Sequence, residues 1–91
     1  MIRVAICDDE EIFIKELRKC LNKYIEETGK EISIVEFKDG KDLLKNYKTD
    51  LDLIFLDIKM EKLDGLKTAE EIRKIDSTVG IIFLTSLSQY V

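Results

Sequence analysis

At 91 residues the chain has room for one small domain with a modest core, since single domains mostly run to about 100–150 residues. Its 15 Lys and Arg against 19 Asp and Glu leave a net charge of -4 with no dense basic block, which argues against nucleic-acid binding by this segment. No apolar run approaches the ~20 residues of a membrane span, and the lack of histidine excludes imidazole metal sites, catalytic triads and phosphohistidine carriers.

The opening Ile2-Arg3-Val4-Ala5-Ile6-Cys7 reads as a strand and runs straight into Asp8 and Asp9. With strand-like sequence from the start and no leader, the expectation is a soluble cytoplasmic protein with no membrane contact. Residues 10–28 predict a helix. Phe13, Leu17, Cys20 and Tyr24 recur at helical spacing, and Ile14, Leu21 and Ile25 widen the stripe. Lys15, Arg18, Lys19, Asn22, Lys23 and Glu26 fall opposite, and Ile12 lies off the stripe. Asp9 or a neighbour can cap the amino end, Glu10 and Glu11 suit the positive end of the helix dipole, and Thr28-Gly29 stops the helix. Cys7 and Cys20 lack metal-ligand spacing and read as small buried residues.

Residues 32–37 alternate, as expected of a strand near a sheet edge, and Asp39-Gly40 turns the chain into a short helix containing Leu43, Leu44 and Tyr47. Leu53-Ile54-Phe55-Leu56-Asp57 follows, four apolar residues ending on a carboxylate. This is the pattern of a strand covered on both faces of a parallel sheet. After a loop over residues 58–63, Asp64-Gly65 opens a third helix in which Leu66, Ala69, Ile72 and Ile75 keep helical spacing. Ile81-Ile82-Phe83-Leu84 reads as a fourth buried strand that delivers Thr85 and Ser86.

Strands alternating with helices imply crossover connections and an α/β doubly wound parallel sheet with helices on both faces. Ligand crevices of such sheets lie outside the carboxyl ends of the strands, so Asp8, Asp9, Asp57 and Thr85 are expected on one rim although they are far apart in sequence. Clustered carboxylates repel, and a hard divalent cation such as Mg2+ is a reason to gather them. A carboxylate beside that ion can attack phosphorus to form an acyl phosphate, with the Thr85 hydroxyl and backbone N–H groups after Asp57 donating to the phosphoryl oxygens. Taken singly, Asp8-Asp9 is equally a solvated helix start, Asp57 a strand-ending surface acid and Thr85 an ordinary strand-end hydroxyl. Their joint order favours phosphoryl acceptance.

Asp8-Asp9 after the first strand, Asp57 ending the third, Asp64-Gly65 after it and Thr85 ending the fourth resemble the receiver domain of two-component response regulators. The resemblance spans essentially the whole chain. It implies a flavodoxin-like sheet of order 2-1-3-4(-5), Asp57 as phosphoacceptor and Asp9 as a direct Mg2+ ligand. Asp8 then acts mainly through metal-bound water, the Lys59 backbone carbonyl is a third protein ligand, and Thr85 is the hydroxyl that moves toward the phosphoryl group. Cys7-Asp8-Asp9-Glu10, Phe83-Leu84-Thr85-Ser86 and Tyr90-Val91 resemble the branch carrying LytTR-type DNA-binding domains. The implied partner is a histidine kinase, with the amino-terminal part of the first helix, including Ile12, as its docking surface. DNA is implied only through an output domain absent from these 91 residues.

The chain departs from the family in having Glu61 where many receivers place Pro. The family's fifth strand, with its Lys and switch aromatic, and its last helix would lie beyond Val91, so residues 1–91 read as a receiver truncated at its carboxyl end. Its fourth strand would then be an apolar edge that invites homodimer pairing or segment exchange. Two alternatives are a receiver-like interaction module that is never phosphorylated and an Asp-nucleophile phosphohydrolase of the haloacid-dehalogenase type. The latter wants a second Asp two positions after the nucleophile, where this chain has Lys59.

Overall fold

Two strands that pair in parallel need a crossover between them, and the sequence supplies a helix after each of the first three strands. In the computed structural model, which describes residues 1–60 and 63–84, the order is β1 (Ile2–Cys7), α1 (Glu11–Thr28), β2 (Ile32–Phe37), α2 (Gly40–Lys45), β3 (Leu53–Asp57), α3 (Gly65–Ile75) and β4 (Gly80–Leu84). The strands form one parallel sheet in the order β2-β1-β3-β4, so the expected doubly wound architecture stands. Its register sets the carboxyl rim. Cys7 is level with Phe37 on one side and Leu56 on the other, which brings Asp8, one residue on, beside Asp57.

One face of the sheet packs on α2 and α3. Ala5, Cys7, Ile54 and Leu56 meet Leu43 of α2, Ile72 of α3, and Met60 and Val79 from the connections. Fully burying an aliphatic side chain of this size contributes roughly 1.5–3 kcal/mol, so this layer is the main source of stability. The other face, carrying Val4 and Ile6, lies under α1, whose one fully buried residue is Ile14. Here the expected stripe is rotated. Leu17, Leu21 and Ile25 are half-buried in line with Ile14, whereas Phe13, Cys20 and Tyr24 are exposed. The Arg18 guanidinium reaches Glu36 of β2 at 3.0 Å, so the helix leans toward the β2 edge and turns the Phe13 side outward. Ile12 is exposed, as its place off the stripe predicts.

Helix ends were partly legible. Gly29 closes α1 in the left-handed conformation at φ 70°, its N–H donating to Ile25 O at 2.8 Å. Asp39 and Asp64 cap α2 and α3 by accepting from the N–H groups of Asp42 and Lys67. The start of α1 differs from expectation, because its cap residue is Glu10 and no side chain serves as cap. Asp9 is therefore not spent on the helix.

The reading of β4 as a buried strand fails at Ile82 and Phe83, which are 45% and 40% exposed, whereas the expected apolar edge is present: among the described residues β4 is an outer strand paired only with β3. Leu66 and Ile75, at the two ends of the α3 stripe, are exposed as well, leaving Thr68, Ala69 and Ile72 as the packed face.

A single carboxylate ties two connections together. Asp76 accepts the Tyr47 hydroxyl at 2.6 Å through Oδ2, and the N–H groups of Thr78 and Val79 at 3.0 and 3.3 Å through Oδ1. The Tyr47 hydrogen bond leads the donors that hold Asp76 below the ordinary carboxylate range. Tyr47→Phe removes one donor and keeps the ring, so thermal unfolding of the variant should show a melting temperature lower by a few degrees. An unchanged melting temperature would mean that water replaces the hydroxyl without loss.

Candidate functional site

The site follows from the register. β1 and β3 end side by side, and the residues continuing them carry carboxylates, so Asp8 and Asp57 are 4% and 7% exposed at the carboxyl rim of the sheet. Asp9 stands exposed beside them. One ligand oxygen from each of Asp8, Asp9 and Asp57 lies within 4.8 Å of the other two. Among the described residues no lysine or arginine forms an ion pair with any of the three.

Crowding of this kind has an electrostatic signature. Burial pushes the Asp57 carboxyl from its ordinary value of 3.8 up to about 6, and the charge of Asp8 adds to it. The Lys59 backbone N–H, hydrogen-bonded to the carboxylate, opposes that rise, and Asp9 and Glu10 reinforce it. Asp8 is raised too, again chiefly by burial. The Glu10 N–H, donating to Asp8 Oδ1 at 2.9 Å, pulls it back, Asp9 and Glu10 push it up, and a hydrogen bond with the Asp57 carboxyl pulls it back again. These carboxylates are held close by the fold against their mutual repulsion. Hard oxygen donors that form no ion pair with a lysine or arginine among the described residues suit a hard divalent ion.

Behind the acids, the Cys7 thiol donates to Met60 Sδ at 3.7 Å. Burial, then the charges of Asp39, Asp8, Asp42 and Asp57, push that thiol up to about 12, so it is packing and not a nucleophile. The contact anchors the loop that follows Asp57. The same loop is fastened where Ile58 N–H donates to Leu84 O at 3.2 Å and Gly65 N–H donates to Ile58 O at 2.7 Å. Gly65 has a second role, because a side chain there would strike the Asp57 carbonyl. Gly40 likewise lets α2 approach Thr68 and Leu63.

Of the residues singled out in the sequence, Asp8, Asp9 and Asp57 are brought together. Lys59 contributes its backbone N–H at the site, while its side chain is exposed. Thr85 and Glu61 lie outside the described residues; Leu84, immediately before Thr85, pairs with Asp57. Sequence reasoning missed the Met60 anchor, which looks like any loop methionine, and the Gly65 approach, which looks like an ordinary turn glycine. Only the backbone path reveals the second.

Residues 4–91 match the profile of the response regulator receiver domain family. A probable transcriptional regulator ycf27 of Guillardia theta is 40% identical over 86 residues, covering 93% of this chain and 31% of that protein. The sensory transduction protein LytT of Bacillus anthracis is 32% identical over 95 residues, covering 99% of this chain and 35% of that protein. Among solved structures, the response regulator protein TrrA from Thermotoga maritima in complex with Mg(2+)-BeF superposes with a TM-score of 0.73 at 35% identity, over 99% of this chain and 74% of that one. The chain spans about a third of the length of these two curated relatives.

Proposed function

The chain belongs to the response regulator receiver domain family, and on that premise we propose that Asp57 accepts a phosphoryl group from a histidine kinase in a Mg2+-dependent reaction and thereby switches an output, namely transcription. The observation that carries this reading is the Asp8, Asp9 and Asp57 cluster, in which carboxylates from two strand ends share one crevice without a cationic partner among the described residues.

The donor set fits the metal. Asp8, Asp9, Asp57 and the Lys59 backbone carbonyl would hold it, and when bound it supplies positive charge against the carboxylates and the phosphoryl oxygens. Asp57 is the nucleophile. Its carboxylate oxygen bonds to phosphorus as the bond from phosphorus to the donor breaks, and the departing group keeps the electron pair. The Lys59 N–H orients the carboxylate, and the Gly65 approach holds the backbone beneath it. We assign the hydroxyl of Thr85 to the phosphoryl group from its place in the chain directly after Leu84.

Lys59, standing where the phosphohydrolase reading requires a second acid, favours a stoichiometric signalling switch over a turnover enzyme. The intact acid set favours phosphorylation over a purely adhesive module. No helix among the described residues is long and apolar enough to cross a membrane. A cytoplasmic location and an output domain elsewhere in a longer protein complete the proposal.

Metal binding is the direct test. Mg2+ should raise the melting temperature of the chain by several degrees, because it binds the folded cluster and not the dispersed acids of the unfolded chain. With Mg2+ and a small phosphodonor, a version extended to typical receiver length should gain the mass of one phosphoryl group, released by hydroxylamine as an acyl phosphate is. No thermal response, or a phosphate that resists hydroxylamine, overturns the assignment.

A further inference from the structure

A second concave site shares no residue with the carboxylate cluster. β2 lines it on one side, and the end of the six-residue α2 with the segment 46–51 on the other. Between them is a cavity of about 530 Å3, well within the size range of small-molecule sites. Its apolar surface comes from Val35 and Phe37 of β2 with Leu51 opposite. Tyr47 adds its ring, because its hydroxyl is engaged by Asp76. Val35 is 42% exposed here, so its side chain is available to an apolar ligand body.

The rim has the opposite charge from the protein as a whole. Lys45 and Lys48 line the cavity, are exposed, and form no ion pair among the described residues. Arg3 adds a third cation, facing Asp50 at 3.5 Å, the one acid in the lining. Three cations against one acid, on a chain of net charge -4, surround an apolar floor. We propose that this cavity binds an amphipathic organic anion, with an aromatic or branched aliphatic body on Val35, Phe37 and Tyr47 and a carboxylate or sulfonate between Lys45 and Lys48.

The test uses anilinonaphthalene sulfonate and its neutral analogue phenylnaphthylamine, titrated by fluorescence, with amide NMR shifts to locate the probe. The expected result is saturable binding of the sulfonate with shifts confined to residues 33–37 and 45–51. The Lys45→Glu/Lys48→Glu double variant should bind the sulfonate about ten-fold more weakly, and the neutral analogue should bind the parent chain about ten-fold more weakly. Both lysines are exposed, so the melting temperature of the variant serves as its folding control. Shifts centred on the other exposed apolar surfaces, around Ile82 and Phe83 or around Phe13, would overturn the proposal. So would unsaturable binding, or equal affinity in the double variant or for the neutral analogue.

Discussion

Asp57→Asn should abolish the phosphoryl adduct completely and at the same time make the metal-free protein more stable at neutral pH. The first effect is chemical, since an amide has no nucleophilic carboxylate oxygen and no other described residue has its position among the acids. The second is electrostatic and follows from the sign of the shift. Between 3.8 and about 6, the folded chain keeps a proton on Asp57 that the unfolded chain has already released. Where the folded state binds more protons, stability falls as pH rises, so the loss develops across that window and is complete above it. Asp8, shifted in the same direction, adds to the slope.

Asparagine matches the carboxylate in shape, carries no charge, and removes the Asp57 share of this penalty. Discounted for the water that reaches the crevice through exposed Asp9, the gain is about 1–2 kcal/mol. Mg2+ should reverse the order, stabilising the parent chain above the variant. Melting temperatures of both proteins from acid to neutral pH, with and without Mg2+, supply the measurement. A variant that still acquires a hydroxylamine-labile phosphate, or a parent chain whose stability does not fall across the window relative to the variant, would refute the account.

What the sequence revealed and what it hid have separate physical causes. The run ending at Asp57 was legible because a strand buried on both faces admits no polar residue until it emerges, and the first carboxylate then marks the rim. Asp8 and Asp9 were legible for the same reason at the end of β1. The rotated stripe of α1 was not. Helical spacing defines an apolar sector but cannot say which part of it meets the sheet, and the Arg18–Glu36 contact, a pairing across two elements, settles that against Phe13 and Tyr24. The apolar run of β4 taken alone reads as buried, because such a run looks the same in an inner strand and an outer one, and only the sheet order places it at an edge. The exposure of Ile82 and Phe83 depends on what pairs with β4, which is not a local property.

Gly65→Ala should be strongly destabilising, and Gly29→Ala shows why by contrast. At Gly29 the backbone is left-handed but nothing lies within 4 Å of an added methyl group, so the penalty is local strain of about 1 kcal/mol. Gly65 has an ordinary φ and a crowded surrounding. A methyl group there meets the Asp57 carbonyl and, at 2.9 Å, the Cα of Ile58, all backbone atoms that no rotamer change can move aside. Relief requires α3 to retreat from β3 or the end of β3 to shift. Either movement strains the 2.7 Å hydrogen bond from Gly65 N–H to Ile58 O, and the peptide displaced is the one that carries the nucleophile. Overpacking of this kind costs about 3 kcal/mol. The expected outcome is a denaturation midpoint well below that of Gly29→Ala, and an adduct yield reduced even at temperatures where the variant is fully folded. Gly29→Ala should lose stability alone. If Gly65→Ala instead accepts the phosphoryl group at the parent rate once folded, the close approach of α3 serves packing only, and the carboxylate is positioned by the strand register without it.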